Sequence, residues 1–282
     1  MRSKLKFILL LAAAMTLGCS GDSNKFPVEI SFYHEFETAK AEAGRTKKPL
    51  IIDFYTDWCK YCKMLDTLTY VDSIVISMSN DYLFVKIDAE RDTILARDYG
   101  IAGYPTIVVT NSDGSEIDRI WGYLPPNEFY NQVQLYLQGK ETLDDYLSRL
   151  EDEPDNPEYL MLIGEKFASR SQWQKSIDFY NRVLQLDLDN KRGLGSRSLA
   201  AVYDVHSRSR DYKTAIEIAT DLINRFPDSP EAETATAMLG YFAAKSGDDK
   251  NALILYRQYL EKYPNAKEDW VNKRIADIEG KL

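Results

Sequence analysis

The 282-residue chain carries a formal net charge of -9, and 44% of its residues are hydrophobic. That apolar share excludes a disordered chain, and the length suffices for two ordinary domains with real cores. The acidic balance, with no basic stripe to reverse it, excludes nucleic acid as a partner.

The first segment, residues 1–18, reads as a bacterial secretory signal. Arg2, Lys4 and Lys6 form a basic n-region. The apolar stretch from Leu5 to Leu17 is too short to span a bilayer core of about 30 Å as a helix. Thr16-Leu17-Gly18-Cys19 then resembles the lipobox of bacterial lipoproteins, with Thr16 where that motif usually has Leu. The resemblance implies a lipidated Cys19 and a membrane anchor facing the periplasm. Ser20 resembles the sorting position of outer-membrane lipoproteins. The alternative is ordinary cleavage after Gly18, leaving Cys19 a free thiol. Residues 19–27 read as the lipidated cysteine and a polar tether.

Residues 28–139 alternate between helix and strand. Glu35 to Lys47 is rich in Ala, Glu and Lys and predicts a helix. Pro49 to Tyr55 is an apolar run of strand length, suited to burial on both faces. Cys59 opens a helical stretch expected to reach about Ser79. Tyr82 to Ile87 reads as a strand, Arg91 to Tyr99 as a helix and Pro105 to Thr110 as a third strand. Asn111-Ser112-Asp113-Gly114 signals a turn into a hairpin partner, Ser115 to Trp121. A helix over Glu128 to Gln138 closes the unit. The pattern predicts a central mixed sheet with helices on both faces.

Residues 140–156 are charged and proline-flanked and read as a linker. From 157 to 282 the chain reads as helix only, and it repeats. Ser176, Ala215 and Ala252 anchor three aligned segments spaced 39 and 37 residues apart. Gly164 and Gly240 precede their anchors by twelve residues, where the middle repeat has Tyr203. Pro227 and Pro264 follow theirs by twelve. Small residues allow close helix packing and the proline stops the second helix. These offsets resemble the tetratricopeptide repeat, whose usual length is about 34. The extra length predicts an insertion near Ser207–Arg210, and Ala266 to Lys281 a capping helix. Such repeats imply a protein partner on the helical array.

The chain has three cysteines and two histidines. With Cys19 assigned to lipid, one C-x-x-C pair, Cys59 and Cys62, remains. A structural zinc site needs four ligands, and His34 and His206 lie too far away in sequence to complete one. The pair therefore reads as redox-active. The thiolate is the nucleophile in disulfide exchange. At a helix N-terminus, free backbone N–H groups and the helix dipole favour the Cys59 anion, and Lys60 and Lys63 add positive charge. Cys62, three residues on, shares its helical face and is the natural resolving thiol.

Asp53-Phe54-Tyr55-Thr56-Asp57-Trp58-Cys59-Lys60-Tyr61-Cys62-Lys63 resembles the thioredoxin active-site segment. The resemblance implies a thioredoxin fold. It implies that Asp53 is the buried carboxyl that helps deprotonate the resolving cysteine, and that Lys86 is its lysine neighbour. Tyr99 to Thr106 resembles the family's cis-proline loop. Pro105 would then face the disulfide, while Tyr104 and Trp58 would contact substrate. Gly122 matches a glycine of the last strand. Lys60-Tyr61 departs from the family's usual Gly-Pro.

Asp57 to Asp66 is also similar to periplasmic domains of membrane thiol reductases. The expectation is an envelope thiol–disulfide oxidoreductase acting as a protein-disulfide reductase, with a disulfide-bonded client. A membrane thiol donor follows from the compartment, because no phosphate-cradling loop offers a nucleotide site. No cofactor or metal is expected. The alternatives are a scaffold or binding lipoprotein whose first domain is a recognition module, and a disulfide oxidase or isomerase.

Overall fold

The computed structural model describes residues 27–264 and 268–281. The signal, the lipobox with Cys19 and nearly all of the tether lie outside the described residues. Among the described residues, no helix is long and apolar enough to cross a membrane.

The first unit runs β1 (Phe32–Tyr33), α1 (Phe36–Thr46), β2 (Leu50–Tyr55), α2 (Lys60–Met64), α3 (Ser73–Ser77), β3 (Leu83–Asp88), α4 (Thr93–Asp98), β4 (Thr106–Thr110), β5 (Glu116–Trp121) and α5 (Pro126–Leu137). Its sheet has the order β1-β3-β2-β4-β5. β2 pairs parallel with β3 and antiparallel with β4, so the sheet is mixed. This is a thioredoxin fold. β2 is central and buried along nearly all its length. Alternation sends Leu50, Ile52 and Phe54 to one face, against Ala39, Ala43 and Ala96. Ile51 points to the other, against Leu65, Val75, Phe129 and Val133. Asp53 shares the second face, a charge site among side chains whose burial each contributes about 1.5–3 kcal/mol.

The long helix expected from Cys59 to Ser79 is interrupted. α2 passes directly into a π-helical turn, Leu65–Thr69. The chain then turns, and α3 starts afresh with Asp72 as its cap, accepting from the Ile74 N–H at 2.9 Å. Asp72 offers the backbone an alternative to helix, which ends the first segment. β1 was not expected, since two residues are too few to show alternation.

The linker residues 140–156 carry a helix of their own, α6 (Leu143–Asp152), capped by Thr142, whose hydroxyl accepts from Asp145 N–H at 3.1 Å. Tyr146 and Leu150 bury the apolar face of α6 against Leu160 and Ile163 of α7 (Pro157–Ala168). The charges that suggested a linker form the opposite, solvated face.

The helical array continues with α8 (Trp173–Leu186), α9 (Leu194–Arg208), α10 (Tyr212–Arg225), α11 (Pro230–Lys245), α12 (Asp249–Lys262) and α13 (Glu268–Glu279). Ser176, Ala215 and Ala252 are fully buried where paired helices cross. A Cβ on Gly164 would lie 2.5 Å from the Tyr180 ring, and one on Gly240 2.6 Å from Tyr256. The middle repeat reverses the sizes. Tyr203 stands at the glycine position and Ala219 at the tyrosine position, both buried in one cluster. The pair keeps its volume while the bulk changes helix. Ser207 and Arg208 complete α9, so no insertion lies there. The extra length of the first spacing sits in the connection 187–193. Asp187 ties that connection down, accepting from Arg192 N–H at 3.0 Å and Leu194 N–H at 2.8 Å.

The array docks on the β5 edge of the sheet. Asp118 is fully buried. It accepts from Arg119 N–H at 2.7 Å, Leu143 N–H at 2.5 Å, Lys166 Nζ at 3.0 Å and Arg170 Nη2 at 2.9 Å. Arg119 donates across the same seam to Ser169 O at 2.8 Å, and within the first unit to Tyr99 O at 2.7 Å.

Candidate active site

The parallel β2 strand ends at Tyr55, and the Thr56–Cys59 loop carries the chain to α2. Cys59 is the N-cap of α2 and Cys62 lies one turn in. They are joined as a disulfide with Cα atoms 5.3 Å apart, and both are buried. Cys59 Sγ accepts from the Cys62 N–H at 3.1 Å. An anion on Cys59 would meet the same unpaired N–H groups, which is how a helix start lowers a thiol pKa.

Asp53 lies below, almost fully buried on the central strand. Neither carboxyl oxygen has a hydrogen-bond partner among the described residues. Burial raises its pKa from 3.8 to about 7, the Asp66 charge adds to the rise, and Lys86 opposes it. Lys86 sits directly across the parallel ladder from Asp53. Its ammonium, however, pairs with Asp66 and lies 5.0 Å above the Tyr55 ring. Lys86 thus acts on Asp53 through space rather than by contact.

Tyr70 completes this buried group. Its hydroxyl feels the Asp53 charge without closing a hydrogen bond, and burial first, then Asp53, holds the phenol well above its usual pKa. Thr56 Oγ1 is a further buried hydroxyl without a partner among the described residues. Sequence reading missed Tyr70, which looks like one more core aromatic.

The Tyr104–Pro105 peptide is cis. The antiparallel register places Phe54 opposite Thr106, so Pro105 falls beside the end of β2 from which the cysteine loop emerges. Pro105 O accepts from Gly122 N–H at 2.9 Å, joining the loop to the end of β5. Trp58 is 66% exposed and its ring meets Tyr104 edge-on at 5.8 Å. Glu90 Oε1 accepts from the Trp58 indole at 2.9 Å, a partner 32 positions away that no local pattern announces. The structure therefore brings Cys59, Cys62, Trp58, Tyr104 and Pro105 to one end of the sheet. Asp53 and Lys86 lie beneath them, and Cys19 is outside the described residues. Among the described residues, no group of three His, Cys, Asp or Glu could hold a metal ion.

A thioredoxin-like domain profile matches residues 36–136, and a tetratricopeptide-repeat profile matches residues 204–267. The thioredoxin of Mycoplasmoides gallisepticum is 33% identical over 94 residues, which cover 32% of this chain and 90% of that protein. The thiol:disulfide interchange protein DsbD of Campylobacter jejuni is 24% identical over 116 residues, covering 40% of this chain. The match spans only 20% of that protein's length. The solution structure of a putative disulphide-isomerase from Bacteroides thetaiotaomicron is 31% identical, covering 39% of this chain and 93% of that one, with a TM-score of 0.36.

The chain belongs to the thioredoxin family. Its particular form joins that fold, with a Cys59–Cys62 pair, to tetratricopeptide repeats.

Proposed function

We propose that this protein is a cell-envelope thiol–disulfide oxidoreductase that reduces disulfides in client proteins. The observation that carries the reading is a C-x-x-C disulfide at a helix start, following a strand whose buried carboxyl, Asp53, has its pKa raised to about 7. In the reduced form, the Cys59 thiolate attacks one sulfur of a client disulfide. That bond breaks, a mixed disulfide forms on Cys59, and the first client sulfur leaves as a thiol after taking a proton from solvent. Asp53 accepts the Cys62 proton. Cys62 then attacks Cys59 Sγ, and the second client sulfur leaves as a thiolate that takes a proton from solvent. Two electrons have passed to the client, and the chain is left with the disulfide seen here. Lys86 tempers the Asp53 charge, while Trp58, Tyr104 and the cis Pro105 loop receive the client backbone.

Return to the dithiol requires a second exchange with a reduced thiol. In the envelope that donor would be a membrane thiol carrier, a role that follows from the compartment alone. A lipid on Cys19 would hold the protein to the outer membrane, facing the periplasm. The repeats would hold a protein partner near the thiols and raise its effective concentration.

Cys59→Ser is expected to abolish turnover of a small disulfide, and Cys62→Ser to accumulate mixed disulfides with clients. Full turnover by Cys59→Ser would end the proposal.

A further inference from the structure

One residue of the helical array reaches the aromatic side chains beside the proline loop. An aromatic stripe leaves the cysteines through Trp58 and reaches Tyr104, whose ring lies 5.8 Å from it. Beside Tyr104, Gly103 has the Trp121 indole so close that a Cβ there would be 2.9 Å from Nε1. Trp121, at the end of β5, is 38% exposed. Over its ring, at 3.8 Å, lies the guanidinium of Arg208, the last residue of α9 in the repeats. Arg208 is also paired with Asp204, one helical turn back. Its Nη1 is buried with no hydrogen-bond partner among the described residues, so at that end the guanidinium is held by the indole face.

The repeats also brace the other end of the proline loop. Gly100 has a positive φ of 59°, and a Cβ there would lie 2.5 Å from Arg170 O. Ser171 Oγ donates to Gly100 O at 3.1 Å. The loop from Tyr99 to Pro105 is therefore fixed at one end by the α7–α8 turn and at the other by Trp121 under Arg208.

We infer that Arg208 is a positioning residue for recognition of polypeptide disulfides: it holds Trp121 as the far wall of a groove that starts at Cys59 and crosses the proline loop. The inference rests on the exchange chemistry proposed above. A client segment laid across Tyr104 advances about 3.3 Å per residue, so a few residues beyond the reacting cysteine bring it to Trp121. A small aromatic disulfide reacts at Cys59 without reaching that wall. The repeats thus contribute to the choice of substrate through a residue at the rim, besides any partner they hold elsewhere.

The test compares the full chain with Arg208→Ala and Arg208→Lys on two substrates, insulin and a small aromatic disulfide, with excess dithiol as reductant. Arg208→Ala is expected to lower the ratio of kcat/KM for insulin to that for the small disulfide at least fivefold, with the loss in KM. Arg208→Lys, which keeps a cation over the ring, should recover part of it. A parallel titration uses the Cys59→Ser/Cys62→Ser chain and carboxymethylated insulin B chain, read by tryptophan fluorescence. Adding Arg208→Ala to that chain should weaken binding by a similar factor. A ratio and an affinity both within twofold of the parent overturn the inference. If the parent chain turns over neither disulfide, the exchange reading fails, and the binding titration alone decides the role of Arg208.

Discussion

Two buried aspartates on the same sheet meet opposite fates. Asp53, on the central strand under the disulfide, has no hydrogen-bond partner among the described residues, and burial raises its pKa to about 7. Asp118, on the edge strand under the repeats, is as deeply buried but accepts from two main-chain N–H groups, a lysine and an arginine. A buried charge is costly unless paired and hydrogen-bonded. At Asp118 the cost is offset and the result is a fixed seam. At Asp53 it is left standing, and the result is a group poised to exchange a proton near neutral pH.

The largest expected effect follows from removing the satisfied charge. Asp118→Ala leaves Lys166 and the Leu143 N–H without this acceptor, while Arg170 keeps Glu116 and Lys166 O. Breaking one side of a buried pair costs about 3–5 kcal/mol. Urea unfolding should show that loss, and limited proteolysis should open new sites within 140–156. Unchanged stability would mean that the seam contributes little.

Asp53→Asn should do the reverse. The folded pKa lies above the unfolded value, so Asp53 carries no penalty below about pH 4. The penalty grows as pH rises from about 4 to about 7 and levels off above the folded pKa. Asn removes it, giving a stability gain of a few kcal/mol at pH 9 and almost none at pH 4. The same variant should slow resolution of the mixed disulfide at neutral pH. Equal gains at both pH values would contradict the raised pKa.

The contrast was only half legible in the sequence. Asp53 stands out because it interrupts an apolar run six residues before Cys59, and the family resemblance supplied its neighbour. Asp118 sits in Glu-Ile-Asp-Arg-Ile-Trp, where nothing in the local pattern marks it as buried. Its partners Lys166 and Arg170 are 48 and 52 positions away, beyond the reach of any local pattern. For the same reason α6 was read as linker. Its charges are visible in sequence, but the surface that buries Tyr146 and Leu150 belongs to a helix still to come. Strand and helix identities within the first domain were legible because burial on two faces or one leaves a periodic mark. The interruption after Leu65 was not, since a π-helical turn keeps a helical composition.

A milder perturbation of the seam is Gly100→Ala. It combines an unfavourable positive φ with a Cβ pressed on Arg170 O. A cost of about 1–3 kcal/mol is expected in thermal or urea unfolding, with looser docking of the repeats. The smallest effect is expected at Glu90→Ala, on the exposed side of the disulfide. Losing one hydrogen bond to a solvated indole should cost under about 1 kcal/mol. The change should appear mainly in Trp58 fluorescence on reduction.

If Cys59 and Cys62 are a couple that reduces clients, their potential must be low enough to give up electrons. The most direct test is the reduction potential of that pair in the Cys19→Ser chain, equilibrated against defined thiol buffers. A value near the thioredoxin level of roughly -270 mV is expected. A value near roughly -120 mV would identify an oxidant that introduces disulfides and would contradict it.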